Sequence, residues 1–169
     1  FSIIRFTSPD DSSAQTVGHS LGNVPHFIIS KNLDTGYSWE VWHKNLAAGK
    51  SLNLNASDAA SSGRWGSMTN TTFGTVSGNT HNSTDKYINY LWTEIPGYSS
   101  FGSYEGTDDA DGPFVYCGFK PRWLIIKNAD SSSEPWQISD VEMNTYNPAT
   151  TRLKTTDDAE LAGSTYEKD

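Results

Sequence analysis

One pattern of ten residues occurs twice in this chain. Pro25-His-Phe-Ile-Ile-Ser-Lys-Asn-Leu-Asp34 is matched 96 residues later by Pro121-Arg-Trp-Leu-Ile-Ile-Lys-Asn-Ala-Asp130. Each copy has a proline, an apolar run, a lysine six residues after the proline, and then Asn-x-Asp. A tryptophan follows each copy: Trp39 in Tyr-Ser-Trp-Glu-Val and Trp136 in Glu-Pro-Trp-Gln-Ile. Further on, Ser57-Asp-Ala-Ala60 with Gly63 has a counterpart in Asp157-Asp-Ala-Glu160 with Gly163, and upstream Phe1–Thr7 parallels Tyr98–Tyr104. A divergent repeat of about 97 residues therefore divides the chain into two related units, 1–97 and 98–169.

Each unit reads as the same series of strands. Phe1–Thr7 is matched by Phe101–Glu105, and the polar loop Pro9–Ala14 by Gly106–Gly112. Thr16–Leu21 is matched by Phe114–Phe119. Phe27–Lys31 and Trp123–Lys127 are unbroken apolar runs, so both faces of those strands should be covered. Trp39–His43 is matched by Trp136–Ser139. In the first unit Leu52–Leu54 alternates, Asp58–Ser61 is expected to form a short helical turn, and Trp65–Met68, Thr72–Val76 and Tyr87–Glu94 complete the set. The expected fold is all-β: a sandwich of jelly-roll or lectin-like type built from two strand-rich units. The second unit has no counterpart of residues 65–97, and an absent strand leaves an open sheet edge. The chain is accordingly expected to be a piece of a longer polypeptide, or to have that edge supplied by another chain.

Composition points the same way. Ser, Thr, Asn and Gly make up 65 of the 169 residues, and these types favour turns and strand surfaces over helix interiors. Six tryptophans and 12% aromatics exclude a disordered chain. The net charge of −8, with no basic run, makes nucleic acid and anionic lipid poor partners. No apolar stretch approaches the length that spans a bilayer. A single cysteine, Cys117, excludes a disulfide framework, and within Phe-Val-Tyr-Cys-Gly-Phe it reads as a small buried residue of a strand.

Catalytic patterns are missing. His19, His26, His43 and His81 have no metal-binding spacing and read as strand-end or surface histidines. There is no Gly-x-Ser-x-Gly elbow, and no carboxylate pair is recognisable as glycosidic. The acidic stretch Glu105-Gly-Thr-Asp-Asp-Ala-Asp-Gly-Pro113 has the residue types for Ca²⁺ but not the EF-hand spacing, and reads as a solvated loop. The protein is therefore expected to be non-enzymatic, without cofactor or metal. Aromatic side chains are the best interaction signal. In Tyr37-Ser-Trp-Glu-Val-Trp-His43, alternation puts Trp39, Val41 and His43 on one face and Glu40 and Trp42 on the other. With Trp39 and Val41 in the core, Trp42 faces outward, as interface and sugar-stacking rings do. Trp65, in Gly-Arg-Trp-Gly-Ser, reads as a loop aromatic of the same kind. Tyr37, Trp42 and Trp65 are the expected binding residues, for a protein interface or a glycan.

Several strings resemble a repeat domain of tailed-phage virion proteins, especially those of marine phages. They are Glu94-Ile-Pro-Gly-Tyr-Ser-Ser-Phe-Gly-Ser-Tyr-Glu-Gly106, Asp111-Gly-Pro-Phe-Val-Tyr-Cys-Gly-Phe-Lys-Pro-Arg-Trp-Leu-Ile-Ile-Lys127, Val41-Trp-His-Lys-Asn-Leu46 and Tyr146-Asn-Pro148. They lie in order and cover most of the chain. The resemblance implies a β-sandwich repeat in a virion structural protein, assembled in the host cytoplasm. A tail fibre or other appendage serving assembly and host attachment is the leading role, and a capsid decoration or head fibre its variant. The implied partners are other copies of the chain, other virion proteins and host-surface glycan. A carbohydrate-binding module is the alternative from another class, with Tyr37, Trp42 or Trp65 stacking on sugar rings.

Overall fold

The computed structural model describes residues 1–10, 13–76, 78–109, 112–143, 149–156 and 161–166. In chain order the first 97 residues form β1 (Ser2–Thr7), β2 (Gln15–Gly18), β3 (Phe27–Asn32), β4 (Glu40–His43), β5 (Lys50–Asn53), β6 (Ser61–Ser62), β7 (Trp65–Met68), β8 (Thr72–Thr75) and β9 (Lys86–Trp92). The C-terminal part forms β10 (Trp123–Ile126), β11 (Gln137–Asp140), β12 (Ala149–Lys154) and β13 (Leu161–Tyr166). There is no helix among the described residues, and every strand pairing is antiparallel. The fold is all-β and sandwich-like, with three sheets.

The largest sheet has the order β1-β9-β3-β4-β5-β6. Its apolar residues point both ways, as an unbroken apolar run in a strand demands. Phe27, Val41 and Leu52 are buried on one face with Trp136 from the C-terminal part, and Ile29, Leu54, Trp92, Phe101 and Ile125 pack around them. Ile28 and Leu91 are buried on the opposite face with Trp65 and Phe73, beneath the three-stranded sheet β2-β8-β7. The six-stranded sheet is thus a central layer. The β2-β8-β7 sheet covers one side, and the β10-β11-β12-β13 sheet packs on the other through Trp136 and Ile125.

Some polar groups caught in this middle layer are matched to partners, whereas Ser30 Oγ and Asn89 Oδ1 are buried without one among the described residues. Glu40 is buried, and its carboxylate accepts from the Ser51 hydroxyl and from Asn79 Nδ2 at 2.6 Å. Asn32 Oδ1 accepts from the backbone N–H groups of Asp34 and Thr35, closing the turn after β3. Its Nδ2 donates to Asp85 Oδ2 and to the Tyr87 hydroxyl, both at 2.8 Å. Tyr87 in turn donates to the Gly78 carbonyl at 2.9 Å, and burial pushes its hydroxyl pKa up to about 12. Tyr87→Phe removes one acceptor of the buried Asn32 amide and the donor to the half-buried Gly78 carbonyl without changing the ring. It is expected to cost about 1–3 kcal/mol, read as a lower midpoint in a urea titration with unchanged slope.

The pairings of the two parts carry the same register. Phe27 opposes His43 and Ser30 opposes Glu40 in β3–β4; Trp123 opposes Asp140 and Ile126 opposes Gln137 in β10–β11. Val41 opposes Leu52, and Ile138 opposes Leu153. Loop hydrogen bonds also correspond. Lys44 N–H donates to the His26 carbonyl and Val141 N–H to that of Arg122; Leu54 N–H donates to Trp39 and Thr155 N–H to Trp136.

Four sequence expectations are corrected. Asp58–Ser61 forms no helical turn: Ala60 N–H donates to the Ala129 carbonyl at 2.7 Å and Ser61 pairs with Ser51, so the backbone bonds outward. Phe101–Glu105 and Phe114–Phe119 are irregular, not strands. Their first-half counterparts are held by ladders, β1 by β9 and β2 by β8. Extended chain without such a partner leaves its N–H and C=O groups to water and gains no fixed geometry. Cys117 accordingly lies half-buried in an irregular segment, not inside a strand. Finally, His81 is fully buried, not a surface histidine. Residues 157–160 and 146–148 lie outside the described residues.

Candidate functional site

The first feature able to meet a partner is an aromatic surface on the C-terminal part. Tyr98, Tyr104, Phe114, Tyr116 and Trp123 all border one broad open cleft, together with Phe101 and Trp136. Phe114 is 77% exposed, Tyr116 82% and Trp123 53%. A folded surface carries scattered apolar groups; here rings at this exposure are collected around one cleft. The floor of the cleft is ordered by stacking. Phe27 meets Phe101 at 5.9 Å with nearly parallel rings, and Trp136 edge-on at 6.3 Å. Asn45 Nδ2 donates to Ser103 Oγ at 2.8 Å and ties the rim to the loop after β4.

Next to Phe101 is a charged cluster. Glu94 accepts from Lys44 Nζ at 2.8 Å and from Phe101 N–H at 3.0 Å. Burial raises the Glu94 carboxyl, but these two hydrogen bonds outweigh it, and its pKa lies below the ordinary 4.5. His26 Nδ1 accepts the Glu94 N–H at 3.0 Å, so that nitrogen carries no proton and its 3.3 Å approach to the carboxylate is not an ion pair. Desolvation, with the Lys44 charge, depresses both His26 and His43 below 6.5. The imidazoles are neutral packing groups here: His43 lies edge-on to Phe27 at 6.1 Å.

These shifts fix a pH dependence. A folded-state pKa lowered below its unfolded value gives stability that is complete above the unfolded value and drains away as pH falls through the folded one. His26 and His43 place the first loss below 6.5. Glu94 places a second below 4.5, and Asp85, held down by hydrogen bonds from Asn82 and Asn32, adds to it below 3.8. The melting temperature is expected to fall in two stages on acidification from pH 7.5, and His43→Gln to flatten the first. A melting temperature flat between pH 7 and 5 refutes this.

The structure separates the three residues expected to bind. Tyr37 is exposed in the β3–β4 connection, where its carbonyl accepts from Lys31 Nζ at 2.6 Å. Trp42 is on the face that alternation assigns, opposite Ile28, but that face is covered. Trp42 is half-buried against Ile28, Trp65, Phe73 and Leu91. Trp65 is no loop aromatic: it opens β7, opposes Thr75 and is only 7% exposed. The signal missed in the sequence is that Thr72–Thr75 and Gln15–Gly18 form a sheet whose apolar residues, Val17 and Phe73, need a lid partner, and Trp42 and Trp65 fill that gap. Val41 is fully buried as expected, whereas Trp39 is half-buried.

The acidic loop holds no metal-ligand cluster among the described residues; Asp111 lies outside them. No curated protein and no solved structure matches the chain. A family model described as "Domain of unknown function (DUF7483)" matches residues 1–169, and the chain belongs to that family.

Proposed function

We propose that this chain is a structural module of a tailed-phage virion, built of two related β units, that works by packing against other protein surfaces and not by catalysis. The virion setting comes from the sequence resemblance. The relatedness of the units is supported by the matching order of sequence pattern, strand pairing and loop hydrogen bonds between residues 25–54 and 121–155. The single observation that carries the packing role is the ring of exposed aromatics, Tyr98, Tyr104, Phe114, Tyr116 and Trp123, around one cleft. Burying two such rings in an interface is worth several kcal/mol before association costs. Other copies of the chain and other virion proteins are the partners, and a tail fibre or appendage is the leading place, with capsid decoration its variant.

The test is the assembled state. The chain is expected to associate with rising concentration in light scattering. Phe114→Ser with Tyr116→Ser is expected to weaken that association by at least about tenfold. A chain that stays monomeric at every concentration, with no neighbour at this cleft in a map of the particle, refutes the reading. The glycan-binding alternative keeps the exposed Tyr37 ring. A glycan array in which binding is absent, or survives Tyr37→Ala, removes it.

A further inference from the structure

The two strands at the centre of the repeated pattern differ in one respect. β3 is paired on both sides, by β4 and by β9, whereas among the described residues β10 is paired by β11 alone and is the edge of its sheet. What covers the equivalent edge of β3 is known in detail. β9 runs antiparallel to it from Phe27↔Trp92 to Asn32↔Tyr87. Beyond one end, Glu94 N–H donates to His26, and the Glu94 carboxylate lies against the same ring. Beyond the other, Asp85 accepts from Asn32 Nδ2, and the Tyr87 hydroxyl accepts from it too.

The same fittings stand at the ends of β10. Asn128 occupies the place of Asn32 in the repeated pattern, and its Oδ1 accepts from the Asp130 and Ser131 N–H groups at 3.0 and 3.1 Å, just as Asn32 accepts from Asp34 and Thr35 at 2.8 and 2.9 Å. No partner for the Asn128 amide nitrogen is present among the described residues. Arg122 occupies the place of His26. It turns a neutral ring into a cation, with Lys120 two residues before it, in a chain of net charge −8. Arg122 meets Glu142 at 2.6 Å, but both side chains are 77% exposed, and a pair so wet is readily exchanged. Between these ends Trp123 and Ile126 are left exposed.

We propose that the open edge of β10 is an acceptor site for an antiparallel strand from another polypeptide, one patterned like β9: aromatic and aliphatic residues alternating about a small amide, with a carboxylate just outside each end. The inference rests on the reading of two related units. Main-chain hydrogen bonds would supply the affinity, and the end carboxylates, on Asn128 and on Arg122 with Lys120, the direction and register. An exposed edge with exposed rings is a liability unless something pairs with it.

A synthetic peptide carrying the sequence of residues 83–95 supplies the probe. Added to the chain, it is expected to bind saturably at one peptide per chain and to slow amide exchange in Trp123–Ile126. The same peptide with Asn89→Pro, which breaks the ladder without touching the protein, is expected to bind at least about tenfold more weakly. Arg122→Glu in the chain is expected to weaken the unmodified peptide as well. Three results overturn the proposal: no binding, slowed exchange confined to Phe27–Asn32 because the peptide displaces β9, or protection of β10 by a second copy of the chain without peptide. Contacts between Trp123 and Asp140 in the same spectra keep the two failures apart. With those contacts present and no binding at β10, only the acceptor role fails; without them the paired-unit reading fails and takes this inference with it.

Discussion

Phe73→Ala is expected to cost about 3–5 kcal/mol and to lower the melting temperature by about 10 °C. Phe73 is completely buried at the middle of β8, the strand that pairs with both β2 and β7. Its ring sits 6.4 Å from that of Trp65 and shares a cluster with Ile28 and Leu91 of the central sheet. The loss is at the high end for such a change because the site cannot close over the void. Next to Phe73, Gly74 already lies against Gly66 of β7: a Cβ built on Gly74 would come within 2.7 Å of Gly66 Cα. The two backbones are in contact, so β8 has no room to move sideways, and the cavity stays open. Calorimetry on the purified chain reads the effect. A cost under about 1 kcal/mol would mean that the β2-β8-β7 sheet is not fastened to the central sheet through this ring.

The same cluster explains which parts of the fold were legible in the sequence. Strand alternation put Trp42 on the side away from Val41, and it lies there. Periodicity is a local property and reports the face a side chain takes. It does not report what covers that face, and here the cover comes from β2, β7 and β8, which alternation alone does not assign to a partner sheet. Trp65 departs from its sequence reading for the same reason. The glycines on either side read as a loop, but in β7 Gly66 is what lets β8 approach. The unbroken apolar run of β3 carries its message, since β3 is covered on both faces; that of β10 does not, because Trp123 and Ile126 at its two ends are exposed where no layer of the described residues covers them. Segments 101–105 and 114–119 have the composition of strands without strand geometry, because a ladder needs a second strand and their sequences cannot supply one. The buried network of Glu40, Ser51 and Asn79 was invisible in the sequence: three ordinary polar residues far apart in the chain are made interior only by the stacking of sheets. Neutral His26 and His43 belong to the same class, since their shifts arise from burial first and then from the Lys44 charge, neither of which any spacing encodes.

Trp136→Ala is expected to release the C-terminal sheet while leaving the first 97 residues folded. Trp136 is buried among Phe27, Val41 and Leu52, and its indole N–H donates to the Asn53 carbonyl at 2.9 Å. Apart from it, the C-terminal sheet meets the first part through smaller contacts: Ile125 packs alongside, Ala60 N–H meets the Ala129 carbonyl, and Lys127 Nζ meets the Ser57 carbonyl at 3.2 Å, while Phe101, which stacks on Phe27, belongs to the irregular segment before that sheet. Truncating the ring removes its contacts and leaves the Asn53 carbonyl without that donor, a combined loss of about 3–5 kcal/mol. Trp136→Phe should lose less, because the ring stays and only the hydrogen bond goes. Limited proteolysis gives the direct reading: cleavage between residues 98 and 122 is expected to accelerate in Trp136→Ala, with a fragment of the first 97 residues surviving. Phe73→Ala should instead make the whole first part susceptible. The two clusters sit on opposite faces of the central sheet and share no residue, so the costs of the two changes should add within about 0.5 kcal/mol. A coupling well above that would show that β3, which feeds Phe27 to one cluster and Ile28 to the other, transmits repacking from face to face. In that case the three layers would fold as one cooperative unit, and the C-terminal sheet could not be released alone.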